Sequence, residues 1–185
     1  MAVVLIMNNY TRILKSFFQR DVLDVAPDLI GKTLVRKFDN GRIERFTITE
    51  VEAYRGTEDL ACHASKGRTR RTKIMFHDGG VIYVYLIYGM YWMLNIITGK
   101  EGDASAILIR GLEEISGPGR VGKAMQIDKS FYGEDLVTSD RIWIENNNMV
   151  SEYITTPRIG IDYAGEPWIS KPWRFIMKNA GLEQS

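Results

Sequence analysis

The sequence is poor in the residues that build disulfides and metal sites. Its 185 residues include one cysteine, Cys62, and two histidines. A single cysteine excludes an internal disulfide and fits a reducing compartment. So few cysteines and histidines leave little material for a zinc or iron site. Acidic residues could still bind magnesium, but the sequence has no DxD-like cluster and no phosphate-binding glycine-rich loop.

The sequence also lacks a strong charge of one sign and a long hydrophobic run. The net charge is +1, with 45% hydrophobic and 25% charged residues, which is typical of globular proteins. No stretch approaches the roughly 20 apolar residues of a membrane span. The apolar opening Met1–Met7 is short and has no positive segment before it, so we do not expect a signal peptide. These features predict an intracellular protein, in a bacterial cytoplasm or a nucleus, that does not bind membranes.

The length and the order of the patterns favour one α+β domain. A chain of 185 residues can bury a sizeable core in a single domain, 1–185, with 1–15 as a candidate for a poorly ordered N-terminal segment. Helical patterns are few and do not alternate with the strands, which favours α+β over a doubly wound sheet. Helices are predicted over 16–30 and from Pro118 to about 127, and strands over 32–37, 42–54, 81–97 as a hairpin, 104–110, 140–145 and 174–178.

An aromatic hairpin is the most distinctive segment. Val81, Tyr83, Tyr85 and Ile87 alternate with apolar residues that face the other way, and Gly89 breaks the run. The pattern therefore predicts a β-hairpin with Tyr88 and Met90 at its tip. Proteins that bend DNA or flip its bases use such exposed apolar side chains as wedges between base pairs. The alternative is a buried hairpin whose tip packs on its own core.

Two segments offer positive charge or backbone amides to a polyanion. Residues 66–73 contain five basic residues and no acid, with glycine and threonine between them. Such a loop could contact phosphates, or it could simply be solvated. Gly117 and Pro118 begin the second predicted helix, near Arg120 and Lys123, where backbone amides could hold a phosphate or merely start a helix.

A carboxylate on a predicted strand is the candidate for chemistry. Glu52 and Tyr54 are two residues apart and share one face of the strand 42–54. Glu50 lies on the same face, so the pattern does not choose between the two glutamates. A carboxylate among apolar residues needs a partner, and Arg110, at the end of an apolar strand, is the candidate. Cys62 and His63 are adjacent and point apart on an extended chain, which argues against a Cys-His nucleophile.

These segments together resemble the alkyladenine (3-methyladenine) DNA glycosylase family of eukaryotes and many bacteria. Each match is short, but their order and spacing agree over about residues 20–178. The matching residues are Glu52-Ala53-Tyr54, Glu58-Asp59, His63, Met75-Phe76, Tyr83-Val84-Tyr85, Tyr88-Gly89-Met90-Tyr91, Asn95, Leu108-Ile109-Arg110, Gly117-Pro118, Asp128-Lys129-Ser130-Phe131, Arg158-Ile159-Gly160, Ala164-Gly165 and Lys171-Pro172.

The resemblance implies a compact α+β domain around a curved antiparallel sheet with a protruding hairpin. It further implies a monofunctional enzyme, without lyase activity, that flips damaged purines from duplex DNA and hydrolyses the N-glycosidic bond in base excision repair. No cofactor or metal is implied, and a monomer suffices. For the chemistry, the resemblance implies that Glu52 is the general base and that Arg110 and the carbonyl of Ile159 position the water. It implies that the base pocket is formed by Tyr54, His63, Tyr85 and Asn95, and that Tyr88 with Met90 intercalates into the DNA. The residues implied to contact the DNA backbone are Arg68, Arg70, Arg71, Lys73, Gly117, Arg120 and Lys123.

Some residues depart from the family pattern, and rival functions remain open. Trp92 makes the second hairpin strand bulkier than the family pattern, and the basic stretch 68–73 diverges from it. The sequence does not fix which lesions are cut. The rivals are a non-catalytic nucleic-acid-binding module, a domain directed at RNA and, more distantly, a metal-dependent hydrolase. Glu52 argues against a pure binder, because a carboxylate on the binding face would repel DNA.

Overall fold

The structure is a computed structural model that describes residues 11–147 and 151–178. Within these ranges the chain forms three short α-helices, namely α1 (Lys15–Phe18), α2 (Val22–Leu29) and α3 (Pro118–Ala124). The strands of the same ranges are β1 (Thr11–Arg12), β2 (Thr33–Lys37), β3 (Ile43–Tyr54), β4 (Ile82–Ile87), β5 (Tyr91–Thr98), β6 (Ser105–Leu112), β7 (Ile115–Ser116), β8 (Ile142–Asn146), β9 (Tyr153–Thr156) and β10 (Arg174–Met177).

The strands form one open antiparallel sheet. Its order is β1-β8-β2-β3-β6-β5-β4, with β7 beside β6, and with β10 between β3 and β9. Every pairing among the described strands is antiparallel. Three helices beside an antiparallel sheet confirm the predicted α+β class.

Strand β3 is the central element. Its first half pairs with β2, and its second half lies between β6 and β10. The register with β6 shifts around Glu50, which marks a β-bulge or irregularity in this strand. Beyond that shift, Glu52 is paired with Leu108 on one side and with Arg174 on the other. The glutamate singled out from the sequence therefore lies in the middle of the sheet.

The main hydrophobic core lies where the helices cover the sheet. Phe18 of α1, Leu29 of α2 and Val121 of α3 are fully buried there. Helix α3 approaches β5 so closely that a Cβ on Gly122 would overlap the carbonyl of Trp92, which explains the glycine. A second cluster beneath residues 62–76 contains Cys62, Ala64, Met75, Val81, Tyr83, Ile97 and Ala106.

Both predicted helices are shorter than the sequence pattern suggests. The single helix predicted over 16–30 is two helices, because Asp21 accepts a hydrogen bond from the amide of Leu23 and caps a new helix. The second predicted helix ends at Ala124 instead of about 127, since Gln126 adopts a left-handed conformation with φ of 50°.

The described part of the N-terminal segment packs against the sheet. Residues 1–10 of the segment 1–15 lie outside the described residues. Thr11 and Arg12 pair with Asn146 and Glu145, and Ile13 is buried in the main core. Among the described residues, the helices are all too short or too polar to cross a membrane.

Candidate active site

A cavity of about 320 Å³ opens beside the hairpin formed by β4 and β5. It gathers side chains from β3, β4, β5 and β6 and from the loop that follows β9. Seven of the residues predicted for a site line it, namely Tyr54, His63, Tyr85, Tyr88, Asn95, Arg110 and Ile159. They are separated by up to 105 positions in the sequence, and the fold brings them to one place.

Glu52 lies directly behind the wall of this cavity. Its side chain has no exposed surface, but three of its partners line the cavity. One carboxylate oxygen accepts a hydrogen bond of 2.8 Å from the hydroxyl of Tyr54. The other accepts one of 2.8 Å from the amide of Ile159 and lies 3.4 Å from Nε of Arg110. Tyr54, on the same strand as Glu52, thus both lines the cavity and donates a hydrogen bond to the carboxylate.

Burial raises the pKa of Glu52. Arg110, the amide of Ile159 and the hydroxyl of Tyr54 act in the opposite direction, and Glu50 adds to the increase. The pKa of Tyr54 is raised well above its usual value, first by burial and then by the charge of Glu52. The tyrosine therefore stays a hydrogen-bond donor, while the carboxylate becomes a stronger base than an exposed glutamate.

Glu50 has a different environment from Glu52. It accepts hydrogen bonds of 3.0 Å from Arg110 and of 3.0 Å from Arg174. Like Glu52 it does not itself line the cavity among the residues described, but of its two partners only Arg110 does. Two guanidinium partners make Glu50 a structural counter-charge that holds Arg110 in place. The structure thus separates the two glutamates that the sequence pattern left equivalent.

A buried ion pair fixes the loop that carries Ile159. Arg158 and Asp59 both have fully buried side chains, and Nη2 of Arg158 donates to Asp59 over 3.0 Å. Asp59 also accepts from the amides of Arg55 and Ala61, and Arg158 donates to the carbonyl of Ala53 at the end of β3. This network connects the loop to the strand of Glu52. It therefore positions the amide of Ile159, which donates a hydrogen bond to Glu52.

Two tyrosine rings and an imidazole form one wall. The rings of His63 and Tyr85 meet edge to face at 4.6 Å, and those of Tyr83 and Tyr85 lie 5.5 Å apart. Nδ1 of His63 lies 3.0 Å from the hydroxyl of Tyr83. Burial and, to a smaller extent, the charge of Arg71 lower the pKa of His63 to about 4. The wall is therefore uncharged at neutral pH, which suits stacking on a flat ring.

Asn95 is buried at the floor of the cavity. Its amide nitrogen donates to the carbonyl of Tyr83 across the hairpin over 3.2 Å and lies 3.4 Å from that of Met93. The side chain is therefore held in one orientation by the two strands it joins, with 4% of the residue exposed.

The tip of the hairpin is exposed. Tyr88 is 86% exposed and Met90 is 65% exposed, so the alternative of a tip packed on its own core is wrong. The amide of Met90 bonds to the carbonyl of Ile87, with positive φ at both Tyr88 and Gly89, as in a type I′ turn. A left-handed, exposed tyrosine costs about 1–3 kcal/mol. The type I′ turn requires this conformation, and it leaves the ring of Tyr88 exposed to solvent.

The basic residues of 66–73 do not form one uniform surface. The side chains of Arg70 and Lys73 point into a groove beside β4 that is lined by four basic and no acidic residues among those described. Arg68 instead lies over the ring of Phe76, and Arg71 turns inward against Tyr83. The residues that line the groove are Arg70, Arg71, Lys73, Val84, Tyr85, Leu86, Trp92, Lys129 and Tyr132.

The start of α3 lies at the mouth of the cavity. Pro118 lines the cavity, and Gly117 precedes the helix with φ of 97°. Arg120 and Lys123 are exposed on the helix, and neither makes an ion pair with a described residue. Their predicted contacts with DNA phosphates stay a prediction.

The described residues offer no ready metal centre. In residues 11–147 and 151–178, no three His, Cys, Asp or Glu side chains come together as a metal site would require. Cys62 is buried against the carbonyl of Ala104, and burial raises its pKa to about 12. Its thiol is therefore a poor nucleophile.

Sequence reasoning missed several parts of the site. Tyr163 is 71% exposed, lines the cavity and donates to the carbonyl of Ala61. Met75 and Ile161 complete the apolar lining. Tyr163 lies in a short 3-10 turn, Asp162–Ala164, outside the strands and helices predicted from the sequence.

Comparison with known proteins gives a consistent result. The model of the family described as Methylpurine-DNA glycosylase (MPG) matches residues 16–116 and 113–181. A protein of Methanocella arvoryzae is 44% identical over 90% of this chain and 92% of its own length. One of Legionella pneumophila strain Paris is 46% identical over 91% and 95%. One of Psychrobacter cryohalolentis is 38% identical over 85% and 87%.

These three relatives are each named, provisionally, a 3-methyladenine DNA glycosylase. The family match covers both the strand of Glu52 and the loop of Ile159, which carry the two halves of the site. The matches extend over most of the chain and of each relative. The chain therefore belongs to the methylpurine-DNA glycosylase family.

Proposed function

We propose that this protein is a DNA glycosylase of base excision repair that hydrolyses the N-glycosidic bond of alkylated or deaminated purines in duplex DNA. The observation that carries the proposal is Glu52, a buried carboxylate in contact with three residues of an aromatic cavity. The family match agrees with this activity. The product is a free base and an abasic site.

Glu52 has the means to activate a water molecule. Each of its oxygens accepts one hydrogen bond of 2.8 Å, from Tyr54 or from Ile159. A carboxylate oxygen can accept two, so each oxygen retains capacity for one water, which must enter between the cavity and the buried carboxylate. Burial raises the pKa of Glu52, which favours proton transfer from water as the glycosidic bond breaks. Arg110 lies beside the same carboxylate and lines the cavity, where it can orient the water.

The cavity suits a purine that has left the base stack. Its volume of about 320 Å³ is at the lower end of the range for small-ligand sites. Tyr54, Tyr85 and His63 offer flat faces, and stacking on such a face is worth about 1–3 kcal/mol per base. Flipping a base costs a few kcal/mol. The wall and the wedge at Tyr88 together offset this cost.

Other features support a simple hydrolase. Among the described residues that line the cavity there is no lysine, so the side chain that would form a Schiff base in a lyase is missing there. We propose monofunctional hydrolysis without metal or cofactor, in one domain that acts as an intracellular monomer on damaged duplex DNA.

The activity is tested by incubating alkylated duplex DNA with the protein and treating it with alkali. A glycosylase leaves abasic sites, so the DNA strand should break at the damaged purines only after enzyme treatment. A non-catalytic binding protein would shift the DNA in a gel but leave it stable to alkali. Tighter binding to structured RNA than to duplex DNA in a competition assay would instead support an RNA-directed role.

Tyr88→Ser should reduce capture of the flipped base more than the rate of chemistry on it. The exposed ring is proposed to fill the gap in the base stack, and serine cannot do so. A fluorescent base analogue at the damaged position should report a smaller flipped population, with the fold intact by circular dichroism. Tyr153→Ser, an exposed tyrosine on β9, is the control and should flip bases like the wild type. Normal flipping by Tyr88→Ser would refute the wedge.

Asn95→Ala should raise the release of normal guanine relative to hypoxanthine. The two bases differ by the 2-amino group of guanine, and a side chain fixed at the cavity floor can exclude that group sterically. The two hydrogen bonds of Asn95 to hairpin carbonyls keep it from moving aside. Chromatography of bases released from matched duplexes measures the ratio. An unchanged ratio would mean that Asn95 does not contact the base edge.

Binding to duplex DNA should weaken steeply with salt although the net charge is only +1. Arg70, Lys73 and Lys129 converge on the groove beside β4, and none has an acidic partner among the described residues. Contacts with three to five phosphates would give a slope of about −3 to −5 when the logarithm of the binding constant is plotted against that of the salt concentration. Arg70→Ala and Lys129→Ala should each reduce the slope by about 1, whereas the control Lys100→Ala should not. A wild-type slope near zero would mean that the groove is only solvated surface.

A further inference from the structure

Arg71 differs from its basic neighbours because its side chain contacts the aromatic wall of the cavity, although the residue remains exposed at the groove beside β4. Its Nε donates to the hydroxyl of Tyr83 over 3.0 Å, and its guanidinium lies 5.0 Å from the ring centre of Tyr85. Its Nη2 lies 3.3 Å from Nδ1 and 3.4 Å from Nε2 of His63, so this contact alone does not distinguish the two ring nitrogens. Its backbone carbonyl accepts a hydrogen bond of 3.0 Å from Tyr132. Both the backbone and the side chain are therefore held, and the guanidinium reaches the back of the cavity wall.

These contacts decide where the proton of His63 lies. The hydroxyl of Tyr83 accepts the hydrogen of Arg71, so its own hydrogen needs an acceptor. Among the described residues, Nδ1 of His63, at 3.0 Å, is the acceptor within reach. Nδ1 must then be unprotonated, and the single proton of the neutral ring lies on Nε2. Without Arg71, the same 3.0 Å contact could equally run from Nδ1–H to the tyrosine oxygen.

We propose that Arg71 is a positioning residue that locks His63 in its neutral Nε2–H form, so that the wall of the cavity presents one defined donor to a hydrogen-bond acceptor of the bound nucleotide. The proposal rests on the proposed function, since that function supplies the nucleotide. Arg71 acts through Tyr83 and His63 and does not itself touch the damaged base.

The surroundings of His63 favour this form over the charged one. His63 borders the main cavity and a smaller one beside it, and no aspartate or glutamate is among the described residues that line either. The titratable groups that face it are Arg71, Tyr83 and Tyr85, with Cys62, Lys66 and Tyr163 around the two cavities. Burial and Arg71 both disfavour the imidazolium, and the pKa falls to about 4. A neutral ring accommodates neutral purines as well as N-alkylated purine nucleosides, which are cations.

Nitrogen-15 NMR of the histidine side chains tests the proposal directly, because the chain has only two histidines. In the wild type, His63 should remain neutral with its proton on Nε2 down to about pH 5. In Arg71→Ala, His63 should titrate closer to neutral pH and show a mixture of the two tautomers. Arg70→Ala, the neighbouring arginine without inward contacts, should leave His63 as in the wild type.

Rates of base release and the salt dependence of DNA binding distinguish a residue that positions His63 from one that contacts a DNA phosphate. Relative to the wild type, Arg71→Ala should lose more single-turnover base release at pH 5.5 than at pH 7.5, because His63 becomes protonated. Its salt slope for DNA binding should be unchanged. Arg71→Lys should restore a neutral His63 but not the single tautomer, because one ammonium lacks the fork that reaches Tyr83 and His63 through two nitrogens. Any loss of fold stability in the Arg71 variants is detected separately from their melting temperatures.

Two results would overturn the proposal. One is a wild-type His63 that titrates near its ordinary pKa or carries its proton on Nδ1. The other is an Arg71→Ala variant with an unchanged His63 spectrum and a salt slope reduced by about 1, as expected for a lost phosphate contact. A wild-type protein that shows the predicted spectrum but releases no base would refute the proposed function and leave the tautomer lock standing.

Discussion

Replacing Glu52 with glutamine should lower the rate of base release at least about 100-fold, within the range for loss of a general base. Glutamine keeps the size of the side chain and an oxygen to accept the hydrogen bond from the amide of Ile159. It cannot take a proton from water. Single-turnover rates with excess enzyme measure the chemical step, and binding of damaged duplex should be similar to that of the wild type or tighter.

Glu50→Gln is the matched control. Glu50 lies on the same strand and shares Arg110 with Glu52, but its other partner is Arg174 instead of the cavity residues Tyr54 and Ile159. Its replacement should affect the rate much less than that of Glu52. If Glu50→Gln were the inactive variant and Glu52→Gln a normal enzyme, the assignment of the base would be wrong.

The pH dependence carries a second signature of the same residue. The unprotonated carboxylate is the active form, so the rate should fall as the pH drops through the pKa of Glu52. Burial raises that pKa, so the loss should begin above the ordinary glutamate range. In Glu52→Gln the residual rate should lack this acidic limb. A limb of unchanged position in the variant would have to come from another group.

Asp59→Asn should destabilise the fold by about 3–5 kcal/mol, which is typical for removing one partner of a buried ion pair. Arg158 would keep its charge with no exposed surface and no counter-charge. For a domain of this size, the melting temperature should fall by on the order of 10 °C. Asp28→Asn, which removes the exposed partner of Arg20, should change it little, because exposed pairs contribute at most about 1 kcal/mol.

The same change should also reduce activity below the melting temperature. Arg158 holds the loop that supplies the amide of Ile159 to Glu52, so a looser loop leaves the carboxylate less well positioned. Calorimetry and single-turnover base release at 15 °C, where the variant is folded, separate the two effects. If Asp59→Asn melted at the wild-type temperature, the ion pair of Asp59 and Arg158 would contribute nothing to the stability of the fold.

Local patterns predicted the strands and the hairpin well. Alternation in 42–54 and 81–97 reflects strands with two different faces, and β3, β4 and β5 follow it closely. The alternation placed Glu50, Glu52 and Tyr54 on one strand face, and only the resemblance to the family singled out Glu52. Tyr88 could be placed at a tip because Gly89 breaks the run.

Contacts between distant segments could not be predicted from such patterns. The bond between Glu52 and Ile159 spans 107 positions, and the Arg158–Asp59 pair spans 99. Residues 55–80 have no periodicity because turns and side-chain bonds to the backbone hold them, for example between Thr69 and Thr72. Arg71 was therefore grouped with its basic neighbours, although the fold turns its side chain inward to Tyr83.

The central claim is that the cavity in front of Glu52 is where a damaged purine is cut from duplex DNA. Chromatography of the products from duplexes that each contain one damaged purine tests it most directly. The wild type should release the intact modified base and leave one abasic site per base released, and Glu52→Gln should release almost none in the same time. Release of a modified nucleotide, strand cleavage without free base, or equal release by Glu52→Gln would contradict the claim.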